Sequence, residues 1–126
     1  MLKKLFNYTE VYMLQIFGRP SCKNTRKAER FLKERNIDFQ YVDLDKKELS
    51  AGELNSIFNS IAPIELINEN SKEYEKKGLK YMDFDPKEEL LSNQKLLVTP
   101  IIRDKNRAIF GYDEALLKDF VKSIQS

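Results

Sequence analysis

The chain has no histidine, no tryptophan and one cysteine, and only four glycines and four prolines among its 126 residues. Without histidine there can be no Cys–His nucleophile pair and no imidazole metal site. One cysteine forbids an internal disulfide and cannot build a thiolate zinc or iron–sulfur centre. Secreted domains of this size often lean on paired cysteines, so the count points to the reducing cytoplasm. The scarcity of glycine and proline leaves no linker-like tract, so a single folded domain is expected. No P-loop or dinucleotide fingerprint is present, and no cofactor or metal is expected.

Long apolar runs are also missing: nothing approaches the ~18 residues of a membrane span. Charge of one sign is missing too. Twenty-two basic residues face 20 acidic ones, interspersed, for a net +2. That gives no broad field for direct nucleic-acid or acidic-lipid binding. Locally, Lys23, Arg26, Lys27 and Arg30 form a basic cluster. Residues 1–12 include Lys3 and Lys4 but lack the apolar stretch and small-residue cleavage site of a signal peptide. They read as an extension ahead of a domain at 13–126, because strand-like sequence starts directly after Met13.

Hydrophobic residues make up 41% of the chain, enough to build a core at this length. Leu14-Gln15-Ile16-Phe17 reads as a strand stopped by Gly18-Arg19-Pro20. Ser21 is the expected N-cap of a helix whose stripe is Ala28, Phe31 and Leu32, closed at Asn36. Phe39–Asp43 alternates as a second strand, and strand–helix–strand with this crossover implies parallel pairing. Ser50 and Glu53 form a capping box before Leu54, Ile57, Phe58 and Ile61. Mixed signals fill 62–84, with a helical piece ending at Gly78; Asp85-Pro86 opens another helix. Val98–Arg103 and Arg107–Phe110 read as a hairpin around Asp104-Lys105-Asn106. Leu116, Leu117, Phe120, Val121 and Ile124 mark a final amphipathic helix. This α/β order is a thioredoxin-like mixed sheet flanked by helices, with a helical insertion between its βαβ and ββα parts.

Cys22 stands where backbone N–H groups converge at a helix start, with Lys23 and Arg26 beside it. Dipoles and cations there favour thiolate over thiol, and the thiolate is the nucleophile. The competing reading is a small buried filler. Thr25 holds the place of a dithiol enzyme's second cysteine, so turnover needs an outside thiol such as glutathione or another protein. In a thioredoxin-like fold Thr99-Pro100, heading the third strand, is expected in cis and facing the thiol, its backbone open to a substrate chain. The alternative is a trans proline at a strand edge.

RPSC-x-x-x-R-K-A, LINENSKEYEKKGL and LLVTPIIRDKNRAIFGYDE, in that order from about Leu14 to Ile124, resemble the ArsC/Spx family. The resemblance to arsenate reductases implies a nucleophile at Cys22 with Arg26 as partner. It matches their three oxyanion-holding arginines to Asn68, Thr99 and Gly111, none of them basic, so efficient arsenate reduction is not expected. Arg103 and Arg107 lie near the right strands, with their directions open. Resemblance to Spx regulators implies binding to the RNA polymerase α subunit, but Thr25 removes their C-x-x-C switch and Ala62-Pro63 replaces a glycine-bearing stretch. The leading expectation is a single-cysteine oxidoreductase: Cys22 and Arg26 catalytic, and Lys23, Thr25, Asn68, Thr99 and Pro100 at the substrate. Glutathione, glutaredoxin or thioredoxin would supply the resolving thiol.

Overall fold

The computed structural model describes residues 14–105 and 107–125. The extension expected at 1–12 lies outside them, as does Asn106 in the hairpin turn.

The described elements are β1 (Leu14–Gly18), α1 (Lys23–Glu34), β2 (Phe39–Asp43), α2 (Ala51–Phe58), α3 (Lys72–Lys77), α4 (Pro86–Ser92), β3 (Ile101–Asp104), β4 (Arg107–Phe110) and α5 (Glu114–Gln125). They form a thioredoxin-like sheet of strand order β2-β1-β3-β4. β1 pairs parallel with β2, Leu14 opposite Phe39 and Gly18 opposite Asp43. It pairs antiparallel with β3, Phe17 opposite Ile101 and Gln15 opposite Arg103. That register decides the site: the end of β1 and the start of β3, the two central strands, meet at one end of the sheet.

Side chains alternate across the sheet. Ile16 and Ile102 join Ala28, Phe31 and Leu32 of α1 and Leu117, Phe120 and Val121 of α5 on one face. Phe17 and Ile101 join Leu54, Ile57, Leu66 and Leu90 on the other. Phe17, Ile16 and Leu32 are fully buried, each contributing roughly 1.5–3 kcal/mol of transfer free energy.

The capping signals act as their chemistry dictates. Ser50 Oγ accepts from Glu53 N–H while the Glu53 carboxylate accepts from Ser50 N–H. Asp85 Oδ1 accepts from Lys87 and Glu88 N–H at the head of α4. Gly78 ends α3 at φ 67°, where a side chain would be strained. Asn36 follows α1 at φ 56°.

Two boundaries differ from the sequence reading. The third strand starts at Ile101, not Val98: Pro100 has no N–H for the ladder, and Val98 N–H turns to Leu66 C=O at 2.9 Å. Ile67 and Leu97 form an isolated antiparallel bridge there. The second difference is the cap of α1, described below. Within 62–84 the mixed signals resolve into 3₁₀ turns at Pro63–Leu66 and Leu79–Tyr81 around α3. A third 3₁₀ turn, Gln94–Leu96, carries buried Gln94, whose amide clamps Leu49 by accepting from its N–H (2.8 Å) and donating to its C=O (2.6 Å).

Candidate active site around Cys22

The loop after β1 is short and closed by backbone. Cys22 N–H donates to Arg19 C=O at 2.9 Å, a turn with Pro20 and Ser21 at its centre. Arg26 N–H then donates to Cys22 C=O at 3.2 Å, the first bond of α1. Cys22 is therefore the N-cap, with extended backbone, and Ser21, the expected cap, stands one residue outside. The thiol occupies the cap position itself.

The sulfur is half-buried. Thr99 lies across from it: Sγ is 3.5 Å from Thr99 C=O, and the Thr99–Pro100 peptide is cis, as expected. Burial pushes the Cys22 pKa up, but the hydroxyls of Thr25 and Thr99 and the amides of Thr25 and Asn24 more than offset it, so the pKa is lowered from the usual thiol value. Thr99 acts in two senses, since its carbonyl accepts from the thiol while its hydroxyl stabilises the thiolate. The amides close no cap bond to the neutral thiol and serve as donors once it ionises.

Thr25 is fully buried and its Oγ1 accepts from Arg19 N–H at 3.4 Å. It packs on Gly18 so closely that a Cβ added there would lie 2.4 Å from Thr25 Cγ2. Gly18 is thus the residue that lets helix α1 start against the strand end. The Lys23 and Arg26 side chains are exposed, and Arg26 Nη1 donates to Pro20 C=O at 2.7 Å, which ties down the turn.

The remaining residues named from sequence fall into two groups. Gly111 N–H donates to Pro100 C=O at 2.8 Å, so Gly111 borders the cis-proline segment. Asn68 N–H donates to Leu96 C=O at 2.7 Å, next to the bridge that leads to Thr99, while its Oδ1 accepts from Asn70 N–H. Arg103 and Arg107 sit at the other end of the sheet. Arg103 opposes Gln15 and donates to it at 3.0 Å, and Arg107 pairs with Asp104 at 3.6 Å. Neither borders the thiol.

Two residues went unread in the sequence. Arg19 donates to Leu97 C=O (3.4 Å) and Gln94 C=O (3.0 Å) and pairs with Asp45 at 3.2 Å, bolting the thiol loop to the segment before Thr99. Its place in the strand-to-cysteine turn was the available signal. Tyr41, on β2, has its pKa raised to about 12 by burial and by the charges of Asp43, Glu29, Asp45 and Cys22, so it stays a neutral phenol. Among the described residues no group of three or more Cys, Asp or Glu is placed to hold a metal ion, and no helix is long and apolar enough to cross a membrane.

Comparison with known proteins agrees with this fold and gives the family. The global transcriptional regulator Spx of Streptococcus pyogenes serotype M1 is 32% identical over 119 residues, covering 86% of this chain and 85% of its own. Spx of Staphylococcus aureus strain Mu50 is 31% identical over 115 residues, covering 86% and 87%. Among solved structures, an ArsC family related protein from Bacteroides fragilis superposes with TM-score 0.77 at 18% identity, over 86% of this chain and 98% of that one. The arsenate reductase from Vibrio cholerae gives 0.71 at 14%, over 89% and 98%. At those identities the structures speak for the fold alone. The ArsC family model matches residues 17–120, and the chain belongs to the ArsC family.

Proposed function

We propose that this protein is a thiol-dependent oxidoreductase that works with one cysteine and an external resolving thiol. The observation that carries the reading is the placement of Cys22 Sγ, half-exposed, 3.5 Å from Thr99 C=O beside the cis-proline. The Cys22 thiolate attacks one sulfur of a disulfide, forming a mixed disulfide and releasing the other sulfur as a thiolate. A second thiolate, from glutathione, glutaredoxin or thioredoxin, then attacks the substrate sulfur of the mixed disulfide. Cys22 leaves as thiolate and the acceptor keeps the disulfide. The hydroxyls of Thr25 and Thr99 hold the ionised sulfur, and the Thr99 backbone lines up the substrate chain. Arg26 keeps the turn closed, and Lys23 adds positive charge at its rim. Such chemistry belongs in the reducing cytoplasm.

Arsenate reduction is not supported. The guanidinium of Arg19 is spent on two carbonyls and Asp45, Arg26 is on Pro20, and Arg103 and Arg107 lie at the far end of the sheet. None forms a fork around the sulfur.

A second reading rests on the 32% identity with Spx along most of both chains. On it the protein is a transcriptional regulator that binds RNA polymerase through the α subunit. One experiment separates the two. Reduced protein is mixed with oxidised glutathione, and the adduct is followed by mass spectrometry with and without excess reduced glutathione. The oxidoreductase reading expects one glutathione on Cys22, removed by reduced glutathione and absent in Cys22→Ser. No adduct, together with polymerase binding by the Cys22→Ser protein, would establish the regulator instead.

A further inference from the structure

Lys27 and Arg30, the outer half of the basic cluster beside the thiol, have no role in the chemistry above, and the cluster's geometry gives them one. Lys23, Arg26, Lys27 and Arg30 are spaced i, i+3, i+4 and i+7, which puts them on one face of α1. All four are exposed, while Thr25, Ala28, Phe31 and Leu32 are buried on the opposite face. None of the four is in an ion pair among the described residues, although α1 also carries Glu29 and Glu34. Asp45 holds Arg19, Glu114 lies 4.0 Å from Arg35, and Glu34 closes the stripe one turn beyond Arg30. An open cleft of about 320 Å³ runs along the stripe's far half, lined by Lys27, Arg30 and Arg35, by Phe31 and Tyr112, and at its far end by Glu34 and Glu114.

Four exposed cations, none of them in an ion pair among the described residues, therefore stand in a line that begins one residue from the chain's only cysteine. Helix rise puts Arg30 about 12 Å along the axis from Cys22. An extended polypeptide covers that distance in about four residues.

We infer that the α1 stripe selects the thiol's partner: a polypeptide whose reacting cysteine has Asp or Glu within about four residues. This rests on the exchange chemistry proposed above and specifies its substrate class. Complementary charge raises the encounter rate, and salt weakens the effect. A phosphate backbone would also be attracted to cations. The stripe is only two turns long and starts at a nucleophile for sulfur, which favours a thiol-bearing acidic chain.

The test uses the full chain, reduced, and two synthetic peptides joined by a disulfide to the same chromogenic thiol. One peptide has Glu and Asp around its cysteine, the other Lys. Release of the chromophore gives the rate. The acidic peptide is expected to react faster, on the order of tenfold at low ionic strength, with the gap closing as salt is added. The charge-reversed variant Lys27→Glu/Arg30→Glu should lose or invert the preference, while its alkylation by neutral iodoacetamide stays at the wild-type rate. Equal rates for the two peptides, or a preference untouched by salt and by the variant, would overturn the inference and leave the exchange chemistry standing. If neither peptide reacts, the exchange chemistry fails and the inference with it. Tighter binding of duplex DNA than of the acidic peptide, lost in the same variant, would also overturn it, in favour of a nucleic-acid surface.

Discussion

At the scale of one side chain, the ionisation of Cys22 is a contest between burial, which favours the neutral thiol, and donors arranged around the sulfur. Thr25 is the donor that also carries structure, because its hydroxyl accepts from Arg19 N–H inside a buried contact. Thr25→Val keeps the shape and removes both bonds. The variant should react severalfold more slowly than wild type with a neutral disulfide reagent at neutral pH, and lose roughly 1 kcal/mol in urea unfolding. An unchanged rate would mean that hydroxyls do not control the thiolate. The lowered pKa also has a sign in stability: ionisation of Cys22 favours the folded state above the unfolded thiol's pKa, and that contribution is lost as pH falls through the folded value. Much at this scale was legible. A lone cysteine after a strand and turn, and a Thr-Pro before the third strand, are local signals. The cap position was not, because it depends on which carbonyl accepts the first helical bond, and the turn from Arg19 to Cys22 moved that from Ser21 to Cys22.

At the scale of elements, the site is held by the join of β1 to α1. Gly18 is tolerated at the strand end because Thr25 fills the space its side chain would occupy. Gly18→Ala must displace a buried threonine, and the expected cost is roughly 2–3 kcal/mol by urea denaturation, with slower thiol exchange. A neutral result on both counts would contradict the tight packing assigned to this join. Helices were read correctly where capping boxes, Asp-Pro and an αL glycine announce them, since those signals are contained in a few residues. The third strand was read too long, because the partner of Val98 is Leu66, some 30 positions away, and no local pattern reports it. The 3₁₀ turns around α3 escaped for the same reason: Leu66 and Leu79 are buried by the whole second face of the sheet, not by a helical stripe of their own.

At the scale of the whole molecule, the register of β1 with β3 brings Cys22 and Thr99 together across 77 positions. The element order anticipated that meeting, because a strand antiparallel to β1 must begin where β1 ends. It could not anticipate Arg19, whose three partners come from two distant segments. Two cores, one on each face, hold the sheet while half-buried Cys22 stays beyond the end of its central strands. The proposed chemistry needs one property above all, a Cys22 sulfur ionised more readily than a free cysteine. The rate of Cys22 alkylation by iodoacetamide, followed against pH on the folded chain and on the same chain unfolded in urea, reads it directly. The folded protein should show its midpoint at lower pH than the unfolded one; a midpoint at the same pH or higher would contradict the account.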